Sequence, residues 1–414
     1  MKKFLFVLLI VLVGFGALVT VNGARSAEAP VTLPAEEILG TAAPAEAGTP
    51  AAEEPAPSGT PAEPEPIREL DYAAIRALRG EDEKVMTLGD ESVSWKQFCD
   101  LLQSTGMDIQ NYFSQMAAYY GVAADWEGSV GDGSGQTYAQ YAVSEAKNYL
   151  ESILTVRGFA ASHGIRLGDE ALAALEPQAM ADAVLGEGAS LDEFYAKLDS
   201  EAHMSFETYR AMREASLLYS AVYEELYGTA GEKLSEEDAV AWLQEQGYLA
   251  AGHILLMTID PNTGDQLEES EISAKREKAG EIAAELQAIQ DQEELLKRFL
   301  ELKEEHCEDT GKTVYPDGYT FQPGTMVQEF ESAVQSLEEY AVSDPVETAY
   351  GYHVIMRLPL KGDASLLTLQ GTSTTARQEL AQKRITEDLD AFQEAHPVEF
   401  AEGVADFDLV PFLK

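Results

Sequence analysis

The sequence predicts an α+β chain: a small antiparallel sheet flanked by helices, inserted in a mostly helical region. Three observations predict it. Two stretches with strand-like alternation, residues 248–257 and 352–358, enclose two amphipathic helical stretches and a short third one. Apolar residues at helical spacing dominate the folded sequence ahead of them. A final amphipathic stretch, residues 374–395, carries Leu380, Ile385, Leu389 and Phe392 and needs an apolar partner, for which the first helical region is the candidate.

Residues 1–26 read as an export signal, with Lys2 and Lys3 ahead of an uncharged apolar run at 4–21. Small residues at Gly23, Ser26 and Ala27 suit a peptidase, while the run is also long enough to stay as a membrane anchor. Both fates remain open here. No cysteine precedes Cys99, which closes the route of lipid attachment at a cleaved leader. Residues 27–66 are dominated by Ala, Pro, Glu, Gly and Thr and offer almost nothing large to bury, so a disordered, extended linker is expected.

Folded sequence begins near Ile67. Residues 85–93 predict a short strand and turn, and Ser94 with Gln97 forms a capping-box pattern ahead of Phe98, Leu101 and Leu102. Helices are expected over 138–163, 169–185, 191–198 and 205–227. The glycine-rich stretch 127–136 is a loop; it lacks the Gly-Lys-Ser/Thr ending that would hold a nucleotide's phosphates. The expected organisation is a helical domain over 67–240, a sheet-bearing domain over 248–360, and a helix with an alternating tail over 361–414 that packs on the first domain.

Charge and cysteine content exclude several function classes. With 28 basic and 73 acidic residues the formal charge is -45, which excludes nucleic-acid binding and argues against a basic patch for anionic lipid. Cys99 and Cys307 are too few for a disulfide framework or a four-cysteine metal site, and Cys307 reads as a buried, inert thiol. The six histidines lack metal-ligand spacing, so no metal or cofactor is expected.

Within 248–360, alternation puts His253 on one face with Leu255 and Met257, and His353 on one face with Ile355 and Arg357. Helices are expected over 273–289, 293–305 and 326–336, and an extended segment over 343–348. Taken singly, a strand histidine is usually a hydrogen-bonded core residue, and Met326 with Phe330 at i,i+4 is usually core. The ordered set of segments says more. Gly-His-Ile-Leu-Leu at 252–256, Glu308-Asp309, Phe321-Gln-Pro-Gly-Thr-Met326-Val-Gln-Glu-Phe330-Glu-Ser-Ala333, Val342-Ser-Asp-Pro-Val346 and Thr348-Ala-Tyr-Gly-Tyr-His353-Val-Ile resemble, in order and spacing, the successive motifs of parvulin-type peptidyl-prolyl isomerases.

That resemblance implies a shallow apolar cup for cis/trans isomerisation of Xaa-Pro bonds. Its catalytic residues are matched by His253, Asp309, Thr348 and His353, and its substrate-binding positions by Met326, Phe330 and Tyr350. No cofactor is implied. The glycine-rich Gly-Gly-Asp-Leu-Gly stretch usual in the family is replaced by residues 314–319, which removes an apolar leucine from the expected cup. The loop after His253 contains no Lys or Arg, so recognition of phosphorylated Ser/Thr-Pro is not expected. Beyond this domain the arrangement is similar to PrsA/SurA-like extracytoplasmic foldases of bacteria. A helical chaperone-like module there surrounds an inserted isomerase and receives unfolded or partly folded exported polypeptides. A non-catalytic chaperone or assembly scaffold, using a degenerate parvulin fold, is the alternative that the altered 314–319 stretch suggests.

Overall fold

A computed structural model describes residues 67–120, 125–367 and 374–414; the expected export segment 1–26 and linker 27–66 lie outside the described residues. In chain order the elements are α1 (Tyr72–Arg76), β1 (Lys84–Leu88), β2 (Glu91–Ser94), α2 (Trp95–Tyr120), α3 (Tyr138–Ser162), α4 (Asp169–Ala173), α5 (Pro177–Leu185), α6 (Leu191–Lys197) and α7 (Phe206–Tyr227). There follow α8 (Glu236–Glu245), β3 (Leu249–Met257), α9 (Glu269–Gln287), α10 (Gln292–His306), β4 (Tyr319–Phe321), α11 (Gln328–Ser336), β5 (Val346–Thr348), β6 (Gly351–Arg357), β7 (Ser365–Leu366), β8 (Thr374–Thr375), α12 (Ala376–Ala395) and β9 (Glu399–Phe400). The chain divides into two compact units, one of residues up to Glu225 together with Ile385–Lys414, the other of Leu226–Arg384.

In the first unit, β1 pairs with β2 on one side and with β9 on the other, giving the order β2–β1–β9. The Ser94–Gln97 capping box forms as expected: the Ser94 N–H donates to Gln97 Oε1 at 2.9 Å and the Gln97 N–H to Ser94 Oγ at 3.3 Å. Thr137 and Gln140 repeat the device at the start of α3. The core joins Trp95, Phe98, Phe113 and Trp126 to Leu150, Phe194, Val404 and Leu409, and Phe392 of α12 meets Phe159 edge-on at 5.5 Å. Buried Asp100 ties α2 to the start of α7. Its Oδ2 accepts from the Ser205 N–H, the Ser205 hydroxyl and the Thr208 hydroxyl at 3.0, 2.6 and 2.6 Å, and its Oδ1 pairs with Arg76 at 2.8 Å.

Three local expectations change. The helix expected over 169–185 is two helices, because Pro177 has no N–H to continue the first and suits the opening turn of the second. The alternating tail forms a strand only at Glu399–Phe400 before turning away. Finally, α8 was not anticipated, although Ser235 caps it by accepting the Asp238 N–H at 3.0 Å.

The second unit is built on a six-stranded sheet of order β5–β6–β3–β4–β7–β8, antiparallel throughout except between β4 and β7. Strand β3 is buried along nearly all its length, because helices cover both faces. On one side Ile254, Leu256, Val354 and Met356 pack against Ile282, Leu286 and Phe299 of α9 and α10. On the other, Ala251, Ile355 and Phe321 pack against Phe330 and Val334 of α11. The sheet continues past residue 360: Leu366 is buried, and the Leu367 N–H donates to the Thr320 carbonyl at 2.8 Å. Between β5 and β6 only Ala349 and Tyr350 intervene, and Gly351 has φ 145° with its would-be Cβ against the Leu256 carbonyl, so the tight turn requires glycine there.

Candidate active site

Strand register brings the two histidines together. His253 stands opposite Ile355 and Leu255 opposite His353, so both imidazoles project from one face as diagonal neighbours. Their Nδ1 atoms are 3.3 Å apart. The β5–β6 turn supplies the third group: Thr348 Oγ1 lies 2.9 Å from His353 Nε2 and accepts the Tyr350 N–H at 3.1 Å. The fourth arrives from the segment after α10, which runs beside β3. There the Glu308 N–H donates to the Leu255 carbonyl at 2.9 Å, and the Leu255 and Met257 N–H groups donate to Cys307 Sγ and Glu308 Oε2 at 3.4 and 2.7 Å. That anchorage sets Asp309 Oδ2 2.9 Å from His253 Nε2.

The electrostatics orders the protons. Burial alone would raise the Asp309 carboxyl, but the hydrogen bond and charge attraction of His253, with hydrogen bonds from Tyr319 and Gly311, outweigh it and hold the group far below the ordinary range, as an anion. Burial, reinforced by the facing His253, lowers His353 to about 3, so its ring is neutral near pH 7. With one proton between the two Nδ1 atoms, a compatible donor order runs Tyr350 N–H to Thr348 Oγ1, Thr348 O–H to His353 Nε2, His353 Nδ1–H to His253 Nδ1, and His253 Nε2–H to Asp309, with the Gly351 carbonyl, 3.4 Å from Thr348 Oγ1, as a second acceptor for that hydroxyl.

Phe330 covers this network. Its ring meets His253 edge-on at 5.3 Å and 87° and His353 at 5.6 Å and 73°, and only 2% of the residue is exposed. Met326 packs, half-buried, in the same cluster. Tyr350 differs: its backbone serves Thr348, while its side chain packs with the α9–α10 cluster. The structure thus joins His253, Asp309, Thr348, His353 and Phe330 and sets Met326 beside them.

Sequence reasoning missed two contributors. Tyr319 donates its hydroxyl to Asp309 Oδ2 at 2.7 Å, from within the stretch that read only as the loss of a leucine. Glu331 accepts the Gly324 and Met326 N–H groups, both at 2.8 Å on Oε1, and so ties down the loop that carries Met326. A glutamate in the first turn of a helix, after a Gly-Thr-Met segment, was a readable capping signal; the Tyr319 contact had none. Among the described residues no three His, Cys, Asp or Glu side chains converge as a metal site would require.

A buried His–His–Thr–Asp network beneath a phenylalanine, on a small sheet between helices, is the arrangement of a parvulin-type domain. Residues 253–358 match the PPIC-type PPIase (rotamase) domain. Similarity reaches beyond that stretch: the chain is 31% identical over 170 residues to the foldase protein PrsA of Oceanobacillus iheyensis, covering 40% of this chain and 54% of that protein. It is 40% identical over 96 residues to the PrsA of Geobacillus kaustophilus (23% and 32% of the two chains) and 32% identical over 91 residues to the chaperone SurA of Methylococcus capsulatus (22% and 20%). The chain therefore spans about half the length, or less, of these curated relatives. Among solved structures, the peptidylprolyl isomerase PrsA of Bacillus cereus is 17% identical, with 78% of this chain and 96% of that chain covered at a TM-score of 0.26. Residues 253–358 thus form a PPIC-type parvulin domain, set in a chain that is similar over part of its length to PrsA and SurA proteins.

Proposed function

We propose that this chain is an exported bacterial foldase that accelerates cis/trans isomerisation of Xaa-Pro bonds in secreted or cell-envelope proteins. One observation carries the reading: within a PPIC-type domain, Phe330 lies edge-on to both imidazoles of a hydrogen-bonded His253–His353–Thr348–Asp309 network. Amide rotation breaks no bond but faces a barrier of roughly 18–20 kcal/mol from resonance. Met326 and Phe330 grip the proline ring. The Asp309 carboxylate, close to the substrate amide oxygen, disfavours the charge-separated resonance form that the planar amide has and the twisted amide lacks. The two histidines and Thr348 hold that carboxylate and the floor of the cup in place, and no proton transfer is needed. Residues 67–240, with the helix and tail over 361–414, hold unfolded clients, and residues 4–21 direct export and can tether the protein at the outer face of the membrane.

Isomerisation of Xaa-Pro tetrapeptides by the full-length protein, beside His253→Ala, Asp309→Ala and Phe330→Ala, tests this. Acceleration that collapses in the variants supports the isomerase. An uncatalysed rate from a folded protein that still suppresses aggregation of unfolded clients would leave a chaperone without catalysis.

A further inference from the structure

Tyr319 lies on β4 opposite Ala251 of β3, which puts it on the sheet face of His253. Its ring meets the His253 ring at 5.5 Å and 61° and is backed by Tyr315 at 5.0 Å. The phenol, 8% exposed as a residue, donates to Asp309 Oδ2 at 2.7 Å, the same oxygen that lies 2.9 Å from His253 Nε2. The other carboxylate oxygen accepts the Gly311 N–H at 2.9 Å. Three donors on one small carboxylate fix both its position and its plane. Burial, with the neighbouring Asp309 charge, pushes the phenol well above its ordinary range, so it stays a donor.

An independent feature points to the same contact. A Cβ on Gly311 would overlap the Tyr319 hydroxyl. Gly311 is not among the glycines with positive φ, so its backbone does not call for glycine. What the missing side chain supplies is room for the phenol to reach Asp309.

We propose that Tyr319 is a positioning residue of the site, acting through Asp309: its hydroxyl aims the carboxylate at His253, and Gly311 is bare so that it can. The kinetic part of this proposal rests on the isomerase reading above; the geometric part does not. Without the hydroxyl, Oδ2 keeps one donor, the carboxylate can turn about its own axis, and the His253 ring loses its fixed acceptor. The stretch that departs from the family pattern then contributes to the site through a different residue type.

The test uses the full-length protein as wild type, Tyr319→Phe, Gly311→Ala, Asp309→Ala and the Tyr319→Phe/Asp309→Ala double variant, with tetrapeptide kinetics and 15N-detected spectra of the imidazoles. Tyr319→Phe keeps the ring and its packing. It lowers kcat about tenfold with KM within about twofold, as loss of one charge-assisted hydrogen bond implies. Gly311→Ala reproduces that loss by displacing the hydroxyl, and Tyr319→Phe adds nothing in the Asp309→Ala background. In both single variants the His253 Nε2 resonance shifts. Unchanged kcat, additive losses in the double variant, or His253 resonances that stay put would each overturn the proposal. Should the wild type fail to accelerate isomerisation, the isomerase reading falls, and the imidazole spectra alone decide whether Tyr319 positions Asp309.

Discussion

The Nδ1 atoms of His253 and His353 face each other at 3.3 Å, although 100 residues separate them in the chain. Two imidazole nitrogens at that distance share a single proton, because two N–H groups would point at one another. One ring must therefore be the acceptor, and the contact is lost if both Nδ1 atoms carry a proton. Register, not sequence proximity, creates this constraint: a slip of one residue between β3 and β6 would send one ring to the opposite face.

The neutral His353 makes stability depend on pH. Its pKa falls from 6.5 to about 3 in the folded protein, so the unfolded chain binds more protons throughout that interval. Stability is fully present above pH 6.5 and is lost as the pH drops, by up to about 1.4 kcal/mol per unit. The depressed Asp309 carboxyl adds a loss of the same sign below its ordinary titration range. The thermal midpoint should therefore fall steadily from pH 7 to 4.5, and His353→Gln should flatten that slope. Equal slopes in the two proteins would contradict a buried neutral His353.

Thr348 closes the network at its far end. Thr348→Val keeps the shape but leaves His353 Nε2 and the Tyr350 N–H without their partner, which should cost about 1–3 kcal/mol in a urea titration. Thr348→Ser should restore most of it. A valine variant as stable as the wild type would mean that His353 Nε2 bonds elsewhere, and the proton order given above would be wrong.

How much of this was legible varies with the physical origin of each feature. Alternation set His253 and His353 each on a strand face, and ordered motifs singled out Asp309 and Thr348, because strand period and motif order are local properties of the chain. The hydrogen bonds that join them depend on which residues of β3 and β6 oppose one another, and no spacing in the sequence records that register. Tyr319 illustrates the limit. Its stretch departs from the family pattern, so it read as a loss, and its contact with Asp309 spans a turn whose path sequence does not fix. In the helical region the capping box at Ser94 was readable from two residues, whereas Asp100, fixed by Ser205 and Thr208, was not.

Asp100 gives a prediction independent of any activity. Burial alone would raise its carboxyl, but hydrogen bonds from Ser205, Thr208 and Arg76 prevail and keep it below the ordinary range. Asp100→Ala removes the shared acceptor of three donors at the start of α7, while Arg76 keeps Gln103 as a partner, a loss of about 1–3 kcal/mol. Hydrogen exchange should show the opening concentrated at the start of α7. A loss below about 1 kcal/mol would mean that water or neighbouring groups take over these contacts.

Glu331 links the fold to substrate grip. The residue is 9% exposed, sits in the first turn of α11, and receives the Gly324 N–H on both carboxylate oxygens, at 2.8 and 3.0 Å, and the Met326 N–H at 2.8 Å. A carboxylate suits that position because the helix N-terminus favours negative charge. Glu331→Gln keeps the size but halves the acceptor capacity and removes the charge, so the Gly324 and Met326 amides should exchange about tenfold faster, as loss of roughly 1.5 kcal/mol of local stability implies. Met326 would then be held less firmly over the cup. Because an apolar grip on the proline ring acts on the planar and the twisted amide alike, KM should rise severalfold while kcat stays near the wild-type value. A fall in kcat at constant KM would instead assign Glu331 to the twisted state, and unchanged amide exchange would show that the loop is held by contacts other than this carboxylate.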